Sequence, residues 1–454
     1  MWGDTIAAIA TPWGDGGVAI VRLSGPDSWR IAHARVILPC GEMTPRYAHN
    51  GQLTDEWGQT IDHVLVLPFK APRSYTGEDV VEIHCHGGSL LAQRCLELVI
   101  SAGARQALPG EFTRRAFENG RLDLSQAEAV AALIHARSNE ALRAANRTLS
   151  GELTEQVKDL RDGLISLAAE VEVGLDFPDE DVPLVDDGTL AERMEVLRSL
   201  LADLKDRCAS GVILREGVRV ALVGRPNAGK SSLLNALLKE SRSIVTSVPG
   251  TTRDIVEAVL TYRGVPLRLV DTAGMGEPSH DEVELLGVER AKKAMKSADV
   301  RVWIIDGSRP ADDLDMKLIA DAAAGSHVLV ISKSDLERKF DEKELAEQFP
   351  DSPLVVLSAK KGAGLDELKE AIVSLAYGNK SVDDSLNASV RQVGELKAAS
   401  ESLEDGRLAL ESGLGQGAVA SCLADAKRAL DRLLGLENDQ SLLDEIFSRF
   451  CVGK

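Results

Sequence analysis

The hydrophobic and polar positions change their period several times along the 454 residues of the chain. Short apolar stretches at 18–23, 63–67 and 80–86 are typical of strands, and the stretch 90–102 has helical spacing. Residues 1–119 are therefore predicted to form an α+β domain.

Residues 120–215 and 380–454 are predicted to form the two parts of a helical domain, because apolar residues recur at helical spacing over 124–170, 189–208 and 384–449. The stretch from Leu124 to Glu170 contains no proline, and only Gly151 and Gly163 interrupt its pattern. The acidic stretch Leu-Asp-Phe-Pro-Asp-Glu-Asp at 175–181 breaks the helical pattern, which resumes over 189–208; we interpret the break as a solvated loop. We expect the last five residues not to continue the final helix.

Residues 216–379 instead alternate apolar, β-rich stretches with helical ones, the pattern of a parallel sheet with helices on both faces. The strands are predicted at 218–223, 265–270, 300–305, 327–331 and 354–357. This order predicts an α/β domain inserted between the two halves of one helical domain.

Composition narrows the possible functions. Because the net charge of the chain is −19, any contact that it makes with a nucleic acid requires a local basic patch. The six cysteines are scattered without a C-x-x-C pair, which argues against a zinc ribbon and a disulfide framework. The N-terminus lacks a signal-peptide pattern, and no run of ~18 apolar residues occurs, so we expect a cytoplasmic protein without a membrane segment.

The strongest local motif is Gly-Arg-Pro-Asn-Ala-Gly-Lys-Ser at 224–231, the phosphate-binding P-loop pattern. A β-rich stretch precedes it and a helical one follows, so backbone N–H groups and the helix N-terminus can surround phosphate oxygens. Lys230 can reach the β- and γ-phosphates, and Ser231 can ligate Mg²⁺.

Four further motifs follow in the order that a GTPase requires: Gly-Thr-Thr-Arg-Asp at 250–254, Asp-Thr-Ala-Gly at 271–274, Ser-Lys-Ser-Asp at 332–335 and Ser-Ala-Lys at 358–360. Thr252 is assigned to Mg²⁺ and the γ-phosphate, and the Gly274 N–H to the γ-phosphate. Predicted nucleotide contacts are Asn227, Ala228, Gly229, Lys230, Ser231, Ser232, Ser247, Val248, Pro249, Gly250, Thr251, Thr252, Asp271, Thr272, Ala273, Gly274, Ser332, Lys333, Asp335, Ser358, Ala359 and Lys360.

The third and fourth of these motifs suit a guanine base. Asp335 can accept hydrogen bonds from N1–H and N2–H₂, the Lys333 stem can cover the ring, and a backbone N–H of residues 358–360 can reach O6. Two positions depart from the usual pattern. Ser332 replaces an asparagine, and Met275 stands where many GTPases have a water-orienting glutamine.

Two weaker patterns lie in the first segment. Residues 14–19 nearly match a dinucleotide fingerprint, but a strand follows them instead of a helix, so we reject that interpretation. His84 and His86 share a strand face and could ligate a metal. Since no third ligand is suggested, hydrogen bonding or packing is favoured.

With these motifs assembled, the chain resembles the MnmE (TrmE) tRNA-modification GTPases over essentially its full length. Beyond the P-loop and Gly-Thr-Thr-Arg-Asp, the resemblance rests on Asp-Thr-Ile at 4–6, Ala-Thr-Pro at 10–12, Ser-Tyr-Thr-Gly-Glu-Asp at 74–79, Pro-Gly-Glu-Phe-Thr at 109–113, Leu-Asp-Leu-Ser-Gln-Ala-Glu at 122–128, Asp-Phe-Pro-Asp-Glu at 176–180 and the terminal Cys-Val-Gly-Lys.

The resemblance implies a Ras-like P-loop GTPase domain inserted in a helical domain and preceded by an α+β, folate-binding-like, dimer-forming N-terminal domain. It also implies a complex with the FAD-binding protein MnmG, a heterotetramer that modifies C5 of the wobble uridine of certain tRNAs. The one-carbon donor would be 5-formyl- or 5,10-methylene-tetrahydrofolate.

The resemblance further implies roles for single residues. K⁺ would be held by the Asn227 side chain and by Thr246, Val248 and Thr251, and Glu284 would position the attacking water. Folate contacts match Arg22, Glu82, Arg121 and Lys454. Arg22 and Glu82 could instead form a surface pair. Cys451 is either part of the modification chemistry or an inert small side chain.

Two other functions stay open at this point. One is a non-catalytic, GTP-dependent switch in ribosome or RNA assembly. The other is a folate-dependent one-carbon transferase with a regulatory GTPase insert. A pure switch would need neither a folate-like N-terminal module nor the Cys-Val-Gly-Lys tail.

Overall fold

The structure is a computed structural model, which describes residues 3–176, 186–225, 227–240, 257–271, 297–310, 326–339, 342–378, 383–437 and 440–453. It contains two compact units. The first comprises Met1–Ala131, Leu149–Asp187 and Glu401–Lys454, and the second comprises Ala132–Thr148 and Gly188–Ser400. The predicted domain boundaries after residues 119, 215 and 379 stay predictions.

A seven-stranded sheet organises the first unit. Its strands are β1 Ile6–Ile9, β2 Val18–Ser24, β3 Val36–Ile37, β4 His49–Thr54, β5 Thr60–Phe69, β6 Val80–His86 and β7 Arg105–Gln106. They lie in the order β3-β4-β5-β6-β2-β1-β7. Successive side chains of a strand point to opposite faces, so Val64 and Val66 of β5 are buried while His63 and Leu65 are exposed.

The buried face of this sheet packs against two helices, α1 Ser28–Arg35 and α2 Ser89–Ser101. Further along the chain lie α3 Glu111–Glu118, α4 Leu124–His135, α5 Asn139–Leu149, α6 Glu152–Asp176, α7 Asp187–Glu216, α8 Lys230–Glu240, α9 Glu342–Gln348, α10 Leu365–Tyr377, α11 Val390–Glu411, α12 Gln416–Leu434 and α13 Gln440–Ser448. Within the described ranges, no helix is both long and apolar enough to cross a membrane.

The second unit is built on a six-stranded sheet. Its strands are β8 Val218–Gly224, β9 Glu257–Tyr262, β10 Val265–Asp271, β11 Val300–Asp306, β12 His327–Ser332 and β13 Leu354–Val356, in the order β13-β12-β11-β8-β10-β9. Apolar clusters cover both faces, which explains the nearly continuous apolar sequence of β8 and β11.

The prediction of a parallel sheet is correct for all of these strands except β9. This strand pairs antiparallel with β10, so the sheet is mixed. The apolar pattern of the sequence did not indicate β9, nor did it indicate β1, β3, β4 or β7 in the first unit. Most of these strands are short or polar and are held by backbone pairing with a neighbour, which leaves little pattern in the side chains.

The helical pattern from Leu124 is divided differently from the prediction. An unforeseen break separates α4 from α5, and Ser138 caps the start of α5 because its Oγ accepts a hydrogen bond from the Ala141 N–H at 3.1 Å. Gly163 does not interrupt α6, which continues to Asp176, two residues into the acidic stretch. As expected, residues 450–453 do not continue α13.

Candidate functional site

The P-loop lies between the end of β8 and the start of α8, as its sequence predicts. Gly224 has a φ of +156°, and a Cβ there would lie 2.4 Å from the Ile304 carbonyl oxygen, so the close approach of β11 requires glycine. Asn227 is exposed and has a left-handed backbone with a φ of +65°. The loop thus combines a tight strand contact with an exposed turn.

Lys230 begins α8 and is buried. Its ammonium donates hydrogen bonds to the carbonyl oxygens of Gly224 at 2.9 Å and Arg225 at 2.8 Å, while Ser231 and Ser232 in the next positions are exposed. A cation held inside a glycine loop at a helix N-terminus is the arrangement that binds phosphate.

Ser332 at the end of β12 connects the base motif to the P-loop. Its buried Oγ lies 2.7 Å from the Ala228 carbonyl oxygen and 3.0 Å from the Ile305 carbonyl oxygen. A hydroxyl has one proton, so Oγ donates to one of these acceptors at a time. The serine therefore retains a contact with the P-loop although it replaces the usual asparagine.

Asp335 lies beside the Ser-Ala-Lys motif. Its Oδ1 accepts a hydrogen bond of 2.7 Å from the Ser358 hydroxyl, and this bond lowers the pKa of the Asp335 carboxyl below its ordinary value. The Ser358 N–H already donates to the Ala363 carbonyl at 2.9 Å. Among the three predicted amide donors, Ala359 and Lys360 are therefore the better candidates for guanine O6.

A second polar cluster lies on the sheet of the first unit. Arg22 of β2 stands directly opposite Glu82 of β6, with 2.8 Å between Nε and Oε1. His84 Nε2 lies 3.2 Å from the other carboxylate oxygen of Glu82. The Arg22 guanidinium also lies 5.8 Å from the Tyr75 ring centre and 5.7 Å from that of Phe112, within cation–π range.

Burial by itself would raise the pKa of Glu82. The hydrogen bond with His84 and the charge of Arg22 outweigh burial and hold that pKa below its ordinary value. Because both side chains are more than four-fifths buried, the pair is not a freely exposed surface pair. The structure shows the two residues ion-paired with each other in a partly buried position, and their contact with a folate stays a prediction.

The C-terminal segment approaches this cluster. The Gly110 N–H donates to the Cys451 carbonyl at 3.3 Å, and Arg22 Nη1 lies 3.5 Å from the Gly453 carbonyl oxygen. A Cβ on Gly453 would lie 2.3 Å from the Ile9 carbonyl oxygen, so the tail runs tightly against β1. Cys451 is exposed. The structure thus brings the Cys-Val-Gly part of the tail to Arg22.

Arg121, the third predicted folate contact, lies against the loop that precedes β6. A Cβ added to Gly77 would be 3.2 Å from Arg121 Cγ.

The two histidines that could have ligated a metal make hydrogen bonds: His84 contacts Glu82, and His86 Nδ1 lies 2.7 Å from Asp62 Oδ1. The described side chains contain no group of three or more potential ligands placed to hold a metal ion.

Comparisons with known proteins agree on one family. The family model described as "GTP-binding protein TrmE N-terminus" matches residues 5–121, and the one described as "MnmE helical domain" matches residues 124–451. A relative named "tRNA modification GTPase MnmE" from Thermotoga petrophila is 42% identical over 99% of this chain and 100% of its own length. The chain belongs to the MnmE family of tRNA modification GTPases. An MnmE from Geobacillus kaustophilus is 40% identical over 99% of both chains. The G domain of the FeoB iron transporter from T. maritima is 31% identical, covers 35% of this chain and 98% of its own, and has a TM-score of 0.28.

The predicted fold class is confirmed, and this MnmE family member is a GTP-hydrolysing enzyme. The hypothesis of a non-catalytic switch is therefore wrong.

Several predicted site residues lie outside the described ranges: Thr246, Ser247, Val248, Pro249, Gly250, Thr251, Thr252, Thr272, Ala273, Gly274, Glu284 and Lys454. Asp271 is described only as the last backbone position of β10.

One acidic residue beside the predicted base motif of this MnmE family member was not among the candidates from the sequence. Asp306 ends β11, and its Oδ2 lies 2.6 Å from the Lys333 ammonium. The position of Asp306 at the end of a strand could have suggested it as a candidate, because ligands of α/β sheets bind outside the carboxyl ends of the parallel strands. The sequence shows an acidic residue at the end of an apolar stretch beside the strand that carries the base motif.

Proposed function

We propose that this MnmE family member is a K⁺-dependent GTPase that acts in the modification of tRNA. With an FAD-binding, MnmG-like partner it adds a carboxymethylaminomethyl or aminomethyl group to C5 of the wobble uridine of certain tRNAs. It works in the cytoplasm as a homodimer within a heterotetramer. A 5-formyl- or 5,10-methylene-tetrahydrofolate is the one-carbon donor.

The observation that carries this proposal is the connection between the phosphate and base motifs. The Lys230 ammonium lies inside the P-loop, and Ser332 joins that loop to the strand that leads to Asp335. Since a carboxylate with a lowered pKa stays ionised near neutral pH, Asp335 can accept both guanine donors. Mg²⁺ would be held by Ser231 and Thr252 and would neutralise charge on the phosphates.

A monovalent cation would supply further positive charge in the transition state. The exposed Asn227, together with Thr246, Val248 and Thr251, would hold K⁺. GTP turnover in K⁺ should far exceed turnover in Na⁺ at matched ionic strength, and Asn227→Ala should remove most of the difference. Asn50→Ala, at an exposed position of β4, is the control. Equal turnover of the wild type in both salts would refute K⁺ dependence.

The attacking water requires a group other than Met275, since a thioether accepts hydrogen bonds only weakly. Glu284 acts on it through a bridging water, while Thr252 and Gly274 contact the γ-phosphate. Glu284→Ala should lower kcat by ~10²-fold or more, typical of losing a general base, with GTP affinity nearly unchanged. If kcat is unchanged and GTP affinity falls, the role of Glu284 is structural, and Glu282 becomes the next candidate for positioning the water.

Folate would be bound by Arg22, Glu82, Arg121 and Lys454. The approach of the tail to Arg22 supports this set, because it brings the end of the chain to the Arg22–Glu82 pair within one protomer. Arg22→Gln should weaken the binding of 5-formyltetrahydrofolate to the full chain in calorimetry. Arg94→Gln, which breaks an exposed ion pair with Glu56, should not.

The decisive experiment measures wobble-uridine modification in tRNA from a strain that lacks this protein. Loss of modification, restored by the wild type but not by Lys230→Ala, would support the proposed reaction. Normal modification in the deletion strain would refute it. Cys451→Ser tests whether the exposed thiol takes part: full restoration by this variant would show that Cys451 is inert in the reaction.

A further inference from the structure

The carboxyl ends of β11 and β12 meet at the base motif. The two strands are parallel neighbours, with Asp306 in register with Ser332. Lys333 follows with a left-handed φ of +59°, and its ammonium lies 2.6 Å from Asp306 Oδ2. The lysine that is expected to cover the guanine ring is thus already bound at its charged end.

Asp306 is itself held by hydrogen bonds within its turn. Its Oδ1 accepts hydrogen bonds from the Ser308 hydroxyl at 2.6 Å and from the Ser308 N–H at 3.0 Å. Its side chain is only 10% exposed. The Gly307 N–H donates to the Ser332 carbonyl at 3.1 Å, so the turn that carries Asp306 is also bonded to the base motif.

A flexible lysine loses rotamer freedom when its stem is ordered on a ligand. A partner that holds the ammonium beforehand removes most of that loss at the moment of binding. We propose that Asp306 is a positioning residue for guanine recognition, because it holds the Lys333 ammonium so that the lysine stem offers the base a preformed surface. It acts through Lys333 and need not touch the nucleotide.

A double-mutant cycle tests this on the full chain with a fluorescent GDP analogue. Asp306→Asn should weaken GDP binding about tenfold, within the range of coupling between contacting charged residues, mainly through faster release. Lys333→Met keeps most of the stem but removes the ammonium, and it should weaken binding by a similar factor. If Asp306 acts through Lys333, the double variant should bind no more than about twofold weaker than the weaker single variant.

Ser308→Ala is the matched control, since it removes a bond to Asp306 without touching Lys333. It should change GDP affinity less than about twofold. Multiplying effects in the double variant would overturn the proposal. The proposal would also be overturned if Asp306→Asn left GDP affinity unchanged and lowered the melting temperature as much as Ser308→Ala does. The aspartate would then only stabilise its turn.

If Asp306→Asn does not fold, Asp306→Glu replaces it, since it keeps the charge and moves the carboxylate by one methylene. It should weaken GDP binding while the nucleotide-free protein keeps its melting temperature, and full affinity would overturn the proposal. The XDP-to-GDP preference should stay constant in all of these variants, because that choice belongs to Asp335. If the wild-type chain bound no GDP, the family activity itself would be contradicted. Equal GDP affinities of the wild type and the Asp306 variants would instead overturn only the role of Asp306.

Discussion

The Ser332 hydroxyl lies 2.7 Å from the carbonyl oxygen of Ala228, which joins the guanine motif to the phosphate loop through one buried contact. An asparagine amide has two N–H donors and an acceptor oxygen, whereas the shorter serine hydroxyl has one donor proton and its acceptor oxygen. The link between the two motifs is therefore retained with fewer hydrogen bonds.

Substitutions of Ser332 should change nucleotide affinity in both directions. Ser332→Ala should weaken GDP binding by about 0.5–1.5 kcal/mol, and Ser332→Asn should tighten it by a similar amount, the range of one net hydrogen bond. Titration with a fluorescent GDP analogue measures both. Ser352→Ala, which removes a hydrogen bond to His327 at the other end of β12, should leave the affinity unchanged.

Asp335→Asn should shift the preference from guanine to xanthine nucleotides. Xanthine has an acceptor at O2 where guanine has an amine, so an amide donor suits it better than a carboxylate. The wild type should prefer GDP over ADP by at least ~10²-fold, since adenine leaves the carboxylate without donors. Competition among GDP, ADP and XDP measures both effects. Asp351→Asn, at an exposed position, is the control, and an unchanged GDP preference in Asp335→Asn would mean that the base pocket lies elsewhere.

Glu82 should contribute a pH-dependent part of the free energy of unfolding. Its pKa is lowered in the folded state, so its contribution is fully present above the ordinary carboxyl pKa of about 4.3 and is lost as the pH falls through the lower folded value. Glu82→Gln should destabilise the protein by about 1–3 kcal/mol at pH 7 in urea unfolding.

The difference between wild type and Glu82→Gln should shrink as the pH falls below about 4. Glu97→Gln is the matched control, because its carboxylate is half exposed beside Arg94 on the surface of α2. A difference that stays constant with pH would show that the ionised carboxylate of Glu82 does not stabilise the fold.

Arg115 on α3 should be essential for the stability of the first unit. Its side chain is fully buried, and its guanidinium contacts Glu78 at 3.2 Å, Glu111 at 3.1 Å and Asp4 at 2.8 Å. Arg115→Met leaves two buried carboxylates without this cation and should lower the free energy of unfolding by about 3–5 kcal/mol. Arg30→Met breaks an exposed, solvent-screened pair with Asp27 and should lower the free energy of unfolding far less than Arg115→Met does. Equal losses in the two variants would show that burial of the Arg115 cluster does not matter.

Two glycine substitutions should change stability with opposite signs. Gly264, between β9 and β10, has a φ of +81°, and a Cβ there would lie 1.9 Å from Glu140 Oε2. Gly264→Ala should therefore destabilise the protein by about 1–3 kcal/mol, even if the end of Glu140 moves away. Gly394 lies within α11 with nothing near its Cβ position, so Gly394→Ala should stabilise by about 0.4–1 kcal/mol. Urea unfolding of both variants measures the contrast.

The sequence alone determined the identity and order of the nucleotide motifs and the parallel strands between them. These features are local: a P-loop needs its glycines, lysine and serine at set spacings, and a strand covered on both faces needs a continuous apolar run. For the same reason the five parallel strands of the second unit appear in the sequence within one or two residues of their observed bounds.

Only the tertiary structure decided the features that depend on a distant partner. The polar strand β4 exists because β5 pairs with its backbone, and β9 because β10 does. Strand register alone brings Asp306 to Lys333, and the path of the tail brings Gly453 to Arg22. Such contacts join residues far apart in the chain. They form only when distant strands pair and pack in the correct register, which no local pattern of side chains indicates.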